Sequence, residues 1–510
     1  MADPLSDNHS TTIKDVEQLG IWAGLASLSY VFWICGGMEM VERFAYYGVR
    51  NNAALYATAP VSEGGLGITA AQLGDIFLIW ALIQTWVPVI SGGLSDRFGY
   101  KETIFAATLF KIAGYVVMAL YATYWGFMSG AILVAFGTAI FKPGVQGTIV
   151  KSTSRSNSSI AWGVFYQTVN IGGYFGVLIA IQMRQLSWDS MFYVNAGMIM
   201  LNLLLLLVYK EPEKEARLER RAKIKSGEIK EPSLWKEAIK EFKRPVLIYY
   251  TILFSGFWFM FYSFFDVLPL HIRDWVDTST IVTTLFGSEG TQSAAAHFFM
   301  GLTDDGRAIN PAGLFNLNSF LIMLTCFAVA GWSGRLRAAN SMALGTFLLA
   351  CGLIMIAELN PAWLVVAAIA VFSVGEMLAS PKSSEYLGNI APADKKAMYL
   401  GFSQAPIGIG WTLEGKLGPT WYDQWASKER FSREWLGDLG LDSASIDAIP
   451  NGEAFTYLLE YNGQSAEQMT ELLYQSHNVG QLWYIMAAVG IVSAFGLYVY
   501  GRWTYRQATA

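Results

Sequence analysis

Glu39, Glu42, Arg43, Tyr46, Tyr47 and Arg50 fall within twelve residues of a segment that is otherwise apolar and long enough to cross a membrane. On a soluble helix this density of charge would be ordinary. In a bilayer each ionised group costs at least about 2.5–3.5 kcal/mol unless it faces protein or water, so such groups mark solute paths, proton relays or ion pairs. At helical spacing Glu39, Arg43 and Tyr46 or Tyr47 line up at i, i+4 and i+7 or i+8, flanked by Glu42 and Arg50. One polar stripe on an apolar helix predicts the wall of a water-filled cavity. Isolated polar groups recur in later apolar stretches: Lys142 beside Pro143, Asn170, Asn318, and Glu376 four residues before Ser380. Lys111 has no motif and no obvious partner, which predicts a structural or lipid-interface position. Glu414 and Lys416 are two apart and do not share a helix face, so no role is assigned to them.

The composition excludes several classes of function. The 510 residues are 53% hydrophobic and only 15% charged, with positive mean hydropathy and a net charge of −5. Soluble chains carry about a quarter charged residues. No basic tract interleaved with aromatics occurs, which argues against a nucleic-acid partner. Cys35, Cys326 and Cys351 lie in apolar segments without CxxC spacing and read as small buried hydrophobes. His9, His271, His297 and His477 lie outside those segments, leaving no haem or zinc site within a membrane. The spans hold no nucleophile–base pair, metal cluster or phosphate loop, so neither an enzyme nor a cofactor is expected.

These residues need elements to hold them, and apolar stretches near the spanning length of about 20 residues recur along the chain. Helices are predicted over 28–58, 71–94, 102–122, 124–150, 160–183 and 189–209. Six more follow, over 245–270, 313–333, 338–358, 361–389, 395–418 and 479–503. The expected organisation is a polar tail over 1–27, a six-helix bundle over 28–209, a charged linker over 210–244, a second bundle over 245–503, and a tail over 504–510. The tail's residue order does not match a cleavable signal, so the first helix is expected to remain as an anchor. The basic linker and basic short loops predict cytoplasmic termini. The long loops 271–312 and 419–478 would then be extracytoplasmic.

Two six-helix halves joined by such a linker resemble the major facilitator fold, an all-α membrane architecture of twelve helices whose solute site lies between the halves. The segment 92–101, with Gly93, Asp96, Arg97, Gly99 and Lys101, is similar to that superfamily's loop motif between its second and third helices. Four further segments narrow the likeness. They are Glu39 to Gly48 with its Glu-x-x-Glu-Arg pattern, Phe141-Lys142-Pro143, Phe165 to Gly172 around Asn170, and Gly375-Glu376 through Ser380-Pro381 with Tyr386. Together they resemble the proton-dependent oligopeptide transporter family.

That resemblance implies import of di- and tripeptides with protons by alternating access, by a monomer in a lipid bilayer, most simply a bacterial inner membrane. A short peptide is a zwitterion, and a site accepting many sequences should hold its two termini. Arg50 and Lys142 suit the carboxylate, and Glu376, from the opposite half, suits the ammonium. Tyr46, Tyr47, Asn170 and Asn318 can hydrogen-bond the peptide backbone. The family's pattern adds Trp258 and Ser380 to the pocket. Glu39, Glu42 and Arg43 are the expected proton switch. One departure stands out: the seventh helix reads Phe257-Trp258 to Ser263, without the carboxylate that family members place opposite the fourth-helix lysine. Lys142 must then pair within its own half, or Asp266 must substitute. This departure keeps a second reading open, transport of a modified peptide, amino-acid conjugate, nitrate or organic anion. A third is a membrane peptide sensor or scaffold.

Overall fold

The computed structural model describes residues 21–91, 95, 98–154, 157–228, 234–333, 335–358, 361–392 and 396–509. Its long helices are α1 (Tyr30–Arg50), α2 (Ala70–Ser91), α3 (Tyr100–Leu120), α4 (Tyr124–Ser152), α5 (Ser158–Leu186) and α6 (Trp188–Val208), then α7 (Pro245–Asp266), α8 (Leu317–Ser333), α9 (Ala338–Glu358), α10 (Ala362–Ile390), α11 (Gln404–Trp425) and α12 (Gln481–Thr509). Among the described residues, nine of these are long and apolar enough to cross a membrane. The other three are α1, with its charged stripe, the 17-residue α8, and α11, which carries Glu414 and Lys416. Outward-facing Leu204 and Leu207 on α6, and Val492 and Phe495 on α12, stay exposed. Such a surface suits lipid rather than water.

The packing repeats itself with a shift of six helices. In the first half α1 packs on α5 and α6, α2 on α4, and α3 on α4 and α6; in the second, α7 packs on α11 and α12, α8 on α10, and α9 on α10 and α12. The halves meet along α2–α11 and α5–α8, which are also related by the repeat. Small residues permit the close approaches: a Cβ on Gly176 of α5 would strike the backbone of Phe44 on α1, and one on Gly415 of α11 would come within 3.1 Å of the Phe77 carbonyl on α2.

Local chemistry sets the helix ends. Ser29 caps α1, accepting a hydrogen bond from the Phe32 amide at 3.3 Å. The first helix was expected to run on to residue 58. It stops at Arg50, where Asn52 turns its side-chain amide back onto the Gly48 carbonyl at 2.9 Å, and a separate short helix, Ala53–Thr58, follows. At the other extreme, α11 passes the expected end at 418 and reaches Trp425 through Pro419. The linker forms two short helices, Lys214–Lys225 and Leu234–Phe242. Loop 271–312 and the segment after α11 are also largely helical, the latter as Lys428–Asp438, Ser443–Asp447, Ala454–Asn462 and Ala466–Ser476.

Two ends of the bundle can therefore be distinguished, a linker end and a loop end. Polar contacts between the halves extend from Gln167, whose amide donates to the Met323 carbonyl at 2.9 Å, to the loop end. There Arg273 donates to Thr58 at 2.6 Å and Ser62 to Glu453 at 2.6 Å. Lys416 of α11 bridges to Asp75 of α2 at 2.5 Å. The halves are closed on each other at the loop end.

Candidate functional site

The stripe on α1 faces protein. Glu39, Glu42, Arg43, Tyr46 and Arg50 are buried and Tyr47 is half-buried. Arg43 lies 3.3 Å from Glu39 and binds Glu42 directly. The other Glu42 oxygen binds Lys111 of α3 and accepts from Thr138 of α4 at 3.5 Å. The Arg43 guanidinium also sits 4.8 Å from the Tyr46 ring and 5.6 Å from that of Tyr47, which adds cation–π attraction. Two carboxylates and two cations from α1 and α3 thus close one neutral cluster, with Thr138 of α4 beside it. It retains spare capacity: Glu39 Oε2 and one Arg43 terminal nitrogen are buried without a hydrogen-bond partner.

Lys111 is the residue that sequence reasoning missed. It is fully buried and forms part of the stripe's charge balance rather than reaching lipid. Counting charges gives no signal for it, because Glu39 and Glu42 already balance Arg43 and Arg50 on α1.

Lys142 sits one turn beyond Thr138 on α4, within the field of Glu39, Glu42 and Arg43. Among the described residues, no carboxylate lies within 4.0 Å of its ammonium. Across the bundle, Glu376 of α10 accepts from the Asn318 amide of α8 at 3.1 Å, and the same amide reaches Ser373 at 3.0 Å. Among the described residues Glu376 has no basic group within 4.0 Å. Tyr47 and Tyr166, from the first half, lie in its field, so the carboxylate faces across the interface between halves. Ser380 is half-buried one turn further along α10, and Asn170 donates to the Tyr166 carbonyl of its own helix at 2.9 Å. Trp258 is half-buried in an aromatic wall with Phe254, Phe257, Phe261 and Tyr262, and its indole N–H has no partner.

Asp266 does not stand opposite Lys142. It pairs with Arg50 at 2.5 Å, joining the loop ends of α1 and α7. The guanidinium is enclosed by aromatic rings, 4.0 Å from the Phe77 centroid, 5.4 Å from Trp80 and 5.8 Å from Trp411. In this conformation Arg50 holds the halves together. Within the loop motif, Gly99 adopts φ 115°, a region open to glycine, and a Cβ there would strike Glu102; Lys101 donates to the Tyr209 carbonyl at 3.2 Å. Gly93, Asp96 and Arg97 lie outside the described residues.

Comparisons with known proteins agree with this geometry. An uncharacterized transporter, YclF of Bacillus subtilis, is 30% identical over 178 residues, 34% of this chain and 35% of YclF; the chain thus aligns with about a third of that relative's length. The multidrug resistance protein MdtH of Photorhabdus laumondii is 21% identical across 74% of this chain and 84% of its own. Among solved structures, a peptide transporter POT in complex with sulfate superposes with a TM-score of 0.64 at 16% identity, covering 94% of this chain and 98% of that one. A POT family transporter in complex with 5-aminolevulinic acid gives 0.63 at 15% identity, covering 92% and 95%. The likeness to solved structures shows the fold, an all-α bundle. The Major Facilitator Superfamily profile matches residues 43–413, well over half of the sequence, and the chain belongs to that superfamily.

Proposed function

We propose that this protein is a proton-coupled symporter that imports di- and tripeptides by alternating access between its two halves. One observation carries the reading: among the described residues, the cation Lys142 on the first half and the carboxylate Glu376 on the second each lack an ion-pair partner. A zwitterion with its carboxylate at Lys142 and its ammonium at Glu376 would satisfy both and draw the halves together. Tyr46, Tyr47, Asn170, Asn318 and Ser380 supply hydrogen bonds suited to peptide backbone, and Trp258 supplies an apolar wall for variable side chains. Glu39, Glu42 and Arg43 form the coupling cluster, in which water entering as the cavity opens would let a carboxylate take a proton. The likeness to solved peptide transporters supports the substrate class. The positive-inside rule supports cytoplasmic termini, and the reading takes a bacterial inner membrane as the setting and the monomer as the working unit.

A second reading draws on α7, which offers Lys142 no carboxylate. A solute with an extra anionic group, such as an amino-acid conjugate, an organic anion or nitrate, would gain there. A peptide sensor or scaffold remains a third reading, and it predicts binding without accumulation. The deciding measurement uses purified protein in liposomes. Labelled dialanine should accumulate when an inward proton gradient is imposed, and unlabelled di- and tripeptides should compete where nitrate and organic anions do not. Equal uptake with and without the gradient would sink the coupling; competition by anions alone would sink the peptide.

A further inference from the structure

The Arg50–Asp266 pair has a third member. Glu414 of α11 is completely buried, and neither of its carboxyl oxygens has a hydrogen-bond partner. It faces Asp266 within reach of a hydrogen bond, with Arg50 beside both. Asp266 Oδ2 is likewise buried and unpartnered. The Glu414 side chain runs over Gly418, where a Cβ would collide with Oε1 and come within 3.3 Å of Val267 on the chain leaving α7. Glycine at 418 therefore makes the room that lets the carboxyl reach the end of α7. Trp411, one turn back, stacks on Tyr262 of α7 at 4.3 Å and encloses the group from the linker side.

The charges do not balance as they stand. One guanidinium faces two carboxyl groups in a site sealed by Phe77, Trp80 and Trp411. Two ionised carboxylates in contact cannot both be neutralised by one arginine, whereas one shared proton makes the trio neutral and joins two of the three orphaned oxygens in a hydrogen bond. We propose that Glu414 and Asp266 share a single proton beneath Arg50, and that this proton is bound when the halves close at the loop end and released to solvent when they part. The inference rests on the alternating-access reading above and adds a second protonation site, distant from the α1 cluster. Its three members come from α1, α7 and α11, so separating the halves removes Arg50 from both carboxyls at once.

Other charged groups near the seam are accounted for. On α2, which packs against α11, Asp75 is paired with Lys416, and both are partly exposed. Tyr46 of α1 and Tyr262 of α7 are the neighbouring phenols. The acidic and basic groups that act on Glu414 are Asp266 and Arg50.

The test reads closure directly, without substrate. Nitroxide labels on Trp125→Cys and Leu285→Cys, exposed positions at the loop ends of the two halves, report the distance between halves by double electron–electron resonance. Because the closed state holds one more proton, raising the pH must favour opening. The closed-to-open ratio should fall by up to about tenfold per pH unit, the limit for one proton. Glu414→Gln, which keeps a donor permanently in place, should remain closed and insensitive to pH. Asp75→Asn should keep the wild-type slope. A flat titration of the labelled protein with Arg50, Asp266 and Glu414 intact overturns the proposal, and this needs no change at the trio. So does a slope that survives Glu414→Gln or disappears with Asp75→Asn. Failure of peptide uptake in the liposome assay would leave the titration to be judged on its own result.

Discussion

At the residue scale, Glu42 is committed through both of its carboxyl oxygens. One oxygen binds Arg43 and the other Lys111, with Thr138 alongside. Removing one partner of a buried pair leaves the other uncompensated, at a cost of about 3–5 kcal/mol. Lys111→Met should therefore lower the midpoint of thermal denaturation in detergent sharply. The double variant Glu42→Gln/Lys111→Met, which removes both charges, should recover much of that loss. A double variant no more stable than Lys111→Met would show that Lys111 acts through packing alone. Much of this cluster was legible from sequence, because Glu39, Glu42 and Arg43 declare themselves by spacing on one apolar helix. Lys111 was not, since its partner lies 69 positions away and only the fold brings α3 against α1. Asp266 was half legible. Its type and helix were noted, but its contact with Arg50 depends on how the ends of α1 and α7 meet. Glu414 was set aside because its neighbour Lys416 points elsewhere; the side chain it needs is on another helix.

At the element scale, the segments that carry charge behave as the membrane dictates. Helices made of uniformly apolar residues were placed well by length. The ends set by single side chains, such as Asn52 closing α1, were not, because continuing hydrophobicity gives no signal for a local hydrogen bond. The helices after α11 form a cap, where the sequence predicts a long loop outside the cytoplasm with a helical run near 467–473. The Trp275 indole donates to the Ala426 carbonyl, where the cap leaves α11, at 2.8 Å, and Lys428 ties the cap helices to one another. Lys428 donates to Thr470 at 3.0 Å and lies 4.4 Å from the Phe455 ring. Burial pushes its ammonium down to about 8, against the opposing pull of Asp274. The unfolded cap holds this proton up to the ordinary lysine range, so between about pH 8 and pH 10.4 unfolding takes up a proton and the cap grows more stable as pH rises. Protection of the amides across residues 428–476, taken as the exchange rate of the unstructured chain at the same pH divided by the observed rate, should rise over that window in the wild type. Lys428→Met should abolish the trend while leaving protection high at all pH values. Protection that falls between those limits would reverse the assignment.

At the scale of the whole molecule, the six-helix repeat places the same kind of surface on both halves, and the chemistry then differs between them. The first half presents a cation, Lys142, beside a neutralised cluster; the second presents Glu376, held by Asn318. Neither charge is useful alone to a protein that must link occupancy to closure, because a solute held by one half gives the other no reason to move. A zwitterion spanning both changes that. Each charge-assisted hydrogen bond contributes about 1.5–3 kcal/mol, which is about 10- to 150-fold in affinity. Lys142→Ala should therefore weaken binding of a free dipeptide by about that factor, yet should hardly affect the same peptide with its C-terminus amidated. Glu376→Ala should show the mirror pattern, losing the free dipeptide and sparing one that is acetylated at its N-terminus. Both variants should fail to accumulate peptide in liposomes, since each has lost the link between halves. Calorimetric titration of the three ligands into the two variants separates this from simple damage to the pocket. If Lys142→Ala weakened the amide as much as the free acid, Lys142 would not be the carboxylate's partner. The axis of the site across the two halves would then have to be drawn elsewhere.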